Sequence, residues 1–135
     1  MNFILDASIT LAWCFSDEAT SKTTALLERL EFESAIVPGL WPLEVGNILI
    51  AAEKRKRISY ANIKEFLSLL ENLNIEIDTE TASRGFSDII SLAHSEKLTT
   101  YDAAYLELAM RYGLPLATKD TALIHAAKRL GVKII

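Results

Sequence analysis

The chain has 135 residues, of which 50% are hydrophobic, and its 14 Lys and Arg stand against 18 Asp and Glu, for a formal net charge of −4. This length and apolar content predict one domain spanning residues 1–135 and exclude an intrinsically disordered chain. The acidic balance argues against a domain that binds nucleic acid through a basic surface. No apolar run approaches a membrane span and no signal peptide opens the chain, so we expect a cytoplasmic protein without membrane partners.

Short apolar runs alternate with longer helical segments along the chain. Five runs rich in Ile, Leu and Val lack polar alternation, as do strands that are covered on both faces. They lie at residues 2–6, 35–37, 75–77, 116–118 and 132–135. Strands that alternate with helices predict an α/β fold, a three-layer α/β/α sandwich around a central, mostly parallel five-stranded sheet.

The segment 40–52 is apolar on every side except at Glu44 and Asn47. A helix that is apolar all round is buried all round, so we expect one side to face the core and the other side to face a partner subunit. Glu44 and Asn47 are three residues apart and therefore share one face of the helix. Two polar groups on one face of an apolar helix suggest a site.

Capping residues and helical spacing predict the later helices. Ser59 can cap a helix in which apolar residues recur at helical spacing. The next helix, which starts near residue 100, should end at Gly113, and Pro115 prevents it from resuming. The final helix, over about 120–130, should stop at Gly131 in the same way.

Asp6 and Glu44 each have a structural alternative that stays open. Asp6 ends the first predicted strand, where ligands gather in open α/β sheets, but it could also form an Asx-turn or an N-cap, with Ser8 as another cap. Glu44 falls in the first turn of its helix, where it could simply complement the helix dipole. A capping box is excluded there because Trp41 offers no hydroxyl.

Asp102 and Asp120 have equally simple structural alternatives. Asp102 follows Thr99 by three residues, which imitates a capping box with Asp in place of Glu. Asp120 comes just after the fourth predicted strand and could cap the last helix, as could Thr118. Helix capping can therefore explain each of these acids when it is considered alone.

Taken together, the four acids predict a metal site. Asp6, Glu44 and Asp120 lie just past strands or at the helix starts that follow, positions that a parallel sheet brings to one edge, and Asp102 opens a neighbouring helix. Two carboxylates about 4 Å apart repel by roughly 4 kcal/mol at an effective dielectric constant of about 20. Four such groups could not all stay ionised without a cation, and their oxygens suit Mg²⁺ or Mn²⁺.

Four stretches spread along the chain carry a resemblance to a known family. They are FILDAS at 3–8, WPLEVGNIL at 41–49, LTTYDAAYLELA at 98–109 and LATKD at 116–120. With these stretches in this order, the chain resembles the PIN-domain ribonucleases, specifically the VapC-type toxins of bacterial and archaeal toxin–antitoxin pairs. The resemblance covers essentially the whole chain and implies a PIN-like fold.

The resemblance implies a metal-dependent endoribonuclease that hydrolyses RNA phosphodiester bonds with Mg²⁺ or Mn²⁺. Asp6 and Asp102 would be the principal metal ligands, and Glu44 and Asp120 would complete the cluster directly or through water. Small polar side chains match supporting positions beside these acids, namely Ser8, Asn47 and Thr118. Candidates for contact with RNA phosphates are Lys119 and the basic cluster of Lys54, Arg55, Lys56 and Arg57. The cluster has another interpretation, as a solvated helix end that complements the dipole.

Partners and rival functions complete the prediction. The 40–52 helix predicts a homodimer or an antitoxin-binding groove near Trp41, Ile48 and Leu49, and the resemblance implies both a homodimer and a VapB-type antitoxin. One alternative is a PIN-like interaction module without activity. Another is a phosphoacceptor receiver domain, in which Asp78 would be the acceptor. The lone Cys14 excludes an internal disulfide and a multi-cysteine zinc site.

Overall fold

The computed structural model describes residues 2–135, in which strands alternate with helices as predicted for an α/β fold. The strands are β1 (Phe3–Leu5), β2 (Ala35–Val37), β3 (Ile75–Ile77) and β4 (Leu116–Ala117). The helices are α1 (Ala7–Cys14), α2 (Ser21–Arg29), α3 (Trp41–Lys54), α4 (Tyr60–Glu71), α5 (Ile90–Glu96), α6 (Thr100–Tyr112) and α7 (Thr121–Arg129). Two 3₁₀ turns, Ser16–Glu18 and Ala82–Arg84, and a π-helical turn, Gly85–Ile89, accompany them.

The four strands form one parallel sheet in the order β3-β2-β1-β4. β1 is a central strand, in which Ile4 pairs with Ile36 of β2 and with Leu116 of β4. All three residues of β1 are fully buried, as expected for an apolar strand that is covered on both faces. Because the strands run in one direction, the residues that follow them meet at the same edge of the sheet.

The predicted fifth strand is wrong. Residues 132–135 form one isolated bridge, between Ile134 and Leu116, with backbone hydrogen bonds of 2.8 and 3.1 Å beside it. β4 has 2 residues, so its outer edge is too short to support a longer ladder. The edge strand β3 also departs from the prediction, because Ile77 is 51% exposed and the strand is not covered on both faces.

Capping residues set the helix boundaries where the sequence predicted them. Ser59 caps α4 by accepting a hydrogen bond of 3.1 Å from the Asn62 N–H. α6 ends at Gly113, whose φ of +65° is a left-handed conformation that favours glycine. Gly131, with a φ of +77°, follows the end of α7. Within residues 2–135, no helix has both the length and the apolar character needed to cross a bilayer.

α3 is buried on one face only. Trp41 and Leu49 lie in the core, whereas Leu43 is 79% exposed and Ile50 is 40% exposed on the opposite face. The core therefore covers one face of this helix, and burial of the other face against a partner subunit stays a prediction. Of the three residues predicted to form a partner surface, only Ile48 is partly exposed, since Trp41 and Leu49 pack inward.

Asp78 follows β3 and joins this edge strand to α6 through a buried ion network. Arg111 of α6 donates to the two carboxylate oxygens of Asp78 at 3.0 and 2.8 Å, and the Thr81 hydroxyl donates to Oδ2 at 2.9 Å. Arg111 Nε also donates to Glu107, one helical turn earlier, at 2.8 Å. The Arg111 hydrogen bonds lower the pKa of Asp78 to about 2. A buried carboxylate with these partners does not present a free phosphoacceptor, which removes the basis of the receiver-domain alternative.

Replacing Asp78 with Asn should lower the free energy of unfolding at pH 7 by roughly 2 kcal/mol, since Arg111 would keep a largely buried charge with fewer partners. The folded-state pKa of Asp78 lies below its ordinary value of 3.8, at about 2. The stability it provides is therefore complete above the ordinary value and is lost as the pH falls through the folded-state value. Urea unfolding at several pH values should show the two proteins converging towards pH 2.

The matched control for this prediction is Asp88→Asn. Asp88 pairs with Arg84 on the surface, where its side chain is 63% exposed. An exposed pair contributes little, so this variant should differ from the wild type by less than about 0.5 kcal/mol at neutral pH. Equal effects of the two substitutions would contradict the proposed importance of the buried network.

Candidate active site

Four acids lie at the carboxyl edge of the sheet or at helix starts beside it. Asp6 follows β1, Glu44 lies in the first turn of α3, Asp102 lies in the first turn of α6, and Asp120 is the N-cap residue of α7. Burial raises the pKa of Glu44, and the charges of the other three acids raise it further. Burial, followed by the charges of Asp120 and Asp6, raises the pKa of Asp102 to about 6. The structure thus places the four acids that the sequence indicated in the same region, where their charges act on Glu44 and Asp102.

Asp6 is the most deeply buried of the four, with 4% of its surface exposed. Its Oδ2 accepts one hydrogen bond from the Ser8 hydroxyl at 2.6 Å and another from the Thr118 hydroxyl at 2.7 Å. Burial raises the pKa of Asp6, and the two hydroxyls oppose that shift because they favour the charged form. Asp6 occupies the N-cap position of α1, but its side chain makes no capping bond there. The backbone N–H groups of Ala7 and Ser8 do favour the charged carboxylate, so a turn at this corner accounts for part of what Asp6 does.

The same two hydroxyls hold the segment that carries Asp120. Thr118 Oγ1 accepts the Asp120 N–H at 3.0 Å, and Ser8 Oγ accepts the Lys119 N–H at 2.9 Å. Each hydroxyl thus donates to Asp6 and accepts from the segment that follows β4. This geometry is the one expected of side chains that support an acidic cluster.

Glu44 is half-buried and is held by Tyr105 of α6. The Tyr105 hydroxyl donates to Glu44 Oε1 at 2.6 Å, and the tyrosine itself is fully buried. Sequence reasoning missed this residue, because core packing is a sufficient explanation for a tyrosine that recurs with apolar residues at helical spacing. One signal was available: Tyr105 follows Asp102 by three residues, so the two share one face of the helix.

Helix capping accounts for part of what Asp120 does. Its Oδ1 accepts the Leu123 N–H at 2.9 Å and so caps α7. At the start of α6, Thr99 provides the cap by accepting the Asp102 N–H at 3.1 Å. Capping and charge repulsion are therefore found together at these two helix starts, and a structural role does not exclude a role in chemistry.

The chemistry of the four acids fits a hard divalent cation. All four side chains are carboxylates, which offer oxygen atoms, and a nearby positive charge would relieve their repulsion. In the described part of the chain, no three Asp, Glu, His or Cys side chains meet closely enough to bind one ion as they stand. Glu44 accepts from the Tyr105 hydroxyl through Oε1 and Asp120 accepts from the Leu123 N–H through Oδ1, so each carboxylate keeps its second oxygen for an ion, directly or through water.

The basic cluster 54–57 lies away from the acids. Its first residue ends α3 about 15 Å along the helix axis from Glu44. Arg57 donates to Asp17 at 2.7 Å and to Glu18 at 2.9 Å. This placement favours the structural interpretation of the cluster as a solvated helix end over contact with a phosphate held at the acids.

Lys119 and Asn47 lie closer to the acids. Lys119 is the exposed residue just before Asp120, and its Nζ donates to the Glu18 carbonyl at 3.0 Å. Asn47 is exposed on α3, and it lines a groove of about 420 Å³ together with Glu44. These two are therefore the predicted polar residues that share surface with the acidic cluster.

A family model described as the PIN domain matches residues 3–129, whereas no curated protein matches the sequence significantly. PAE2754 from Pyrobaculum aerophilum is 22% identical, with a TM-score of 0.72 over 99% of this chain and 89% of that chain. VapBC2 from Rickettsia felis, solved bound to a promoter DNA fragment, is 14% identical, with a TM-score of 0.70 over 100% and 98%. A toxin–antitoxin complex from Klebsiella pneumoniae is 18% identical, with a TM-score of 0.56 over 88% and 87%. These structural likenesses show the fold alone.

Without divalent metal, replacing Asp102 with Asn should raise the free energy of unfolding at pH 7 by about 1 kcal/mol, a value that allows for solvent screening at this half-buried group. The substitution keeps the shape of the side chain and removes one of the repelling charges. Urea titration in EDTA measures the effect, with the exposed Asp88→Asn as a control that should change little. A variant less stable than the wild type would contradict the proposed repulsion.

Proposed function

Because the chain belongs to the PIN domain family, we propose that it is a metal-dependent endoribonuclease, the toxin of a VapBC-type toxin–antitoxin pair. One observation carries the proposal: four carboxylates from four separate elements lie in the same region of the structure. Burial raises the pKa of Glu44 and Asp102, and the charges of the neighbouring acids raise it further. Such a cluster lowers stability unless a cation offsets the repulsion. Perturbed acids gathered at a sheet edge are typical of functional sites.

We assign Asp6 and Asp102 as the principal ligands of Mg²⁺ or Mn²⁺, with Glu44 and Asp120 completing the cluster directly or through water. When bound, the ion would act as a Lewis acid, which lowers the pKa of a water molecule and offsets negative charge on the phosphodiester. The donors are all oxygen atoms, which Mg²⁺ prefers. Hydrolysis of this kind needs no side-chain nucleophile.

The neighbouring side chains keep the acids charged and in place. The Ser8 and Thr118 hydroxyls favour the ionised form of Asp6 in spite of its burial, because both donate to Oδ2. The same hydroxyls bind the backbone on either side of the Lys119–Asp120 peptide, so they fix that segment relative to Asp6. The acids are therefore held from several directions before any substrate arrives.

RNA is the substrate class that we propose, although the net charge of the chain is −4. The exposed Lys119 stands next to Asp120, and its backbone is anchored by Ser8. A lysine at this point can pair with a phosphate beside the bond that is cut. Because the acids themselves repel a polyanion, we expect RNA to approach the site only when a divalent cation is bound.

The runner-up is a PIN-like interaction module without activity. Clustered like charges make the folded state less stable, and a purely structural module gains nothing from them. Asp6 in particular is 4% exposed and makes no helix-capping bond. The burial of this carboxylate beside other acids favours the nuclease over the inactive module.

We also propose a VapB-type antitoxin as a partner and a cytoplasmic location, where RNA and antitoxin would be available. Support for the antitoxin comes from the fold, which the chain shares with the toxin–antitoxin complex from Klebsiella pneumoniae. The apolar residues left on the surface of the single chain provide material for a protein interface.

A homodimer through the outer face of α3 is the second proposed assembly. Leu43, which is 79% exposed, and Tyr101, which is 64% exposed, line the groove beside Glu44 together with Leu40 and Ile48. Large apolar side chains exposed next to one another mark protein interfaces more often than isolated ones do. In a homodimer, the apolar residues of each copy would cover the groove of the other copy.

Asp6→Asn should reduce Mg²⁺- or Mn²⁺-stimulated cleavage of single-stranded RNA by at least about 100-fold, because a principal ligand and several kcal/mol of charge stabilisation are lost. Cleavage of a labelled RNA is followed with each metal and with EDTA. The control is Asp88→Asn, an exposed acid outside the cluster, which should retain the wild-type rate.

A second measurement tests the same proposal in cells. Sequencing of RNA 5′ ends after expression of the wild type and of Asp102→Asn should show new ends with the wild type alone. Identical end profiles in the two cultures would remove the nuclease proposal.

Leu43→Glu should convert the homodimer to a monomer, because it places a charge on the apolar face of α3. Light scattering after size exclusion at micromolar concentration should give twice the chain mass of 15.0 kDa for the wild type and 15.0 kDa for the variant. Phe32→Glu is the matched control, since Phe32 is 87% exposed and lies outside the groove. A wild type that is monomeric under these conditions would contradict the proposed dimer.

A further inference from the structure

Tyr105 has a hydroxyl that core packing does not explain. The residue is fully buried among apolar side chains, where a phenylalanine would fill nearly the same volume. Its hydroxyl nevertheless donates a hydrogen bond of 2.6 Å to Glu44 Oε1. A buried hydroxyl is costly unless it is hydrogen-bonded, so this group and its partner must be considered as a pair.

The hydroxyl lies where three acid-bearing elements meet. Tyr105 is on α6, one helical turn after Asp102, and its partner Glu44 is on α3. The backbone N–H of Ala7, the residue directly after Asp6, acts on the same phenolic oxygen. One oxygen atom therefore contacts or faces the segments that carry three of the four acids.

The bond opposes the repulsion that Glu44 experiences. Glu44 is half-buried, and the charges of Asp6, Asp102 and Asp120 all act against its ionised form. A glutamate has three rotatable side-chain bonds, so without a partner it would relieve the repulsion by turning towards solvent. The Tyr105 hydroxyl, which is fixed in the core, limits that movement because it holds Glu44 Oε1.

Tyr105 acts as a donor and not as an acid in proton transfer. Burial, followed by the hydrogen bond to Glu44, raises its pKa far above the ordinary value for a phenol. A phenol has one proton to donate, and the 2.6 Å bond to Glu44 Oε1 uses it. Orientation of Glu44 is the role that remains.

We propose that Tyr105 is a positioning residue, which holds Glu44 in the acidic cluster against the repulsion of the other acids and so prepares the cluster to take a divalent cation. This inference rests on the proposed function of the same site, since Glu44 matters here as part of a metal centre. Groups that orient metal ligands from outside typically change metal affinity by about 10- to 100-fold when they are removed.

The test is Tyr105→Phe, compared with the wild type by calorimetric titration of Mn²⁺ into metal-free protein. We expect Mn²⁺ to bind roughly 10-fold more weakly to the variant. In RNA cleavage at a Mn²⁺ concentration near the wild-type Kd, the apparent kcat should fall while KM for RNA stays the same, because the hydroxyl does not touch the substrate, and saturating Mn²⁺ should restore most of the loss. The matched control is Tyr112→Phe, on the same helix, whose hydroxyl lies 3.5 Å from Asp78 and outside the cluster.

Glu44→Asp tests the same bond from the acceptor side and leaves the buried tyrosine intact, in case Tyr105→Phe does not fold. The shorter side chain withdraws from the hydroxyl and should also weaken Mn²⁺ binding. Adding Tyr105→Phe to Glu44→Asp should then cause little further change, because the two substitutions break one interaction. Independent, additive losses would overturn the positioning role.

The outcomes separate this inference from the proposed function. A wild type that neither binds Mn²⁺ nor cleaves RNA would overturn both. A wild type that does both, accompanied by a folded Tyr105→Phe with equal Mn²⁺ affinity and equal kcat, would overturn the role of Tyr105 alone. Unchanged Mn²⁺ affinity in Glu44→Asp would also count against it.

Discussion

Four carboxylates share one edge of a small sheet, and neighbouring groups from most of the surrounding elements oppose their repulsion. Two hydroxyls, from α1 and from the end of β4, bind Asp6. A phenol from α6 binds Glu44, and a backbone N–H in the first turn of α7 binds Asp120. Each of these groups is a hydrogen-bond donor that stabilises a negative charge without neutralising it. The protein therefore keeps its acids ionisable while leaving net negative charge for a cation to offset.

The parallel sheet makes this concentration of charge possible. β1 is fully buried and central, so the residue after it emerges at the middle of the carboxyl edge. The strands are only 2 or 3 residues long, which leaves little distance between the core and that edge. A carboxylate such as Asp6 consequently lies close to apolar surroundings, and burial is the largest influence on its pKa. An antiparallel arrangement would spread these acids over two edges.

The sequence predicted the acids and much of the fold because their signals are local. Asp6 follows an uninterrupted apolar run, and Ser59 and Gly113 mark helix ends by their own conformational preferences. The predicted fifth strand failed because strand formation depends on the partner: residues 132–135 have the right composition, but the 2-residue β4 supports only a single bridge to them.

What the sequence could not show are contacts between distant parts of the chain. The basic cluster allowed two interpretations, a phosphate contact or a solvated helix end, and Arg57 pairs with acids some forty residues earlier, which spacing cannot show. Tyr105 looked like a core residue and is one, but its partner Glu44 lies on another helix 61 positions away. A single sequence shows which face of a helix a residue occupies. It does not show which polar atom of another helix that residue will contact.

α6 serves both ends of this arrangement. Its first turn carries Asp102, its middle carries Tyr105, and its last turn carries Arg111. The Arg111 guanidinium donates hydrogen bonds to Asp78, which follows the edge strand. Asp102 and Arg111 thus lie about 14 Å apart along the axis of one helix, which connects the acids to the edge strand β3. Any rotation or sliding of the helix would change both ends at once. We therefore expect a substitution of Arg111 to change the alignment of Asp102 and Tyr105, although Arg111 contacts neither of them.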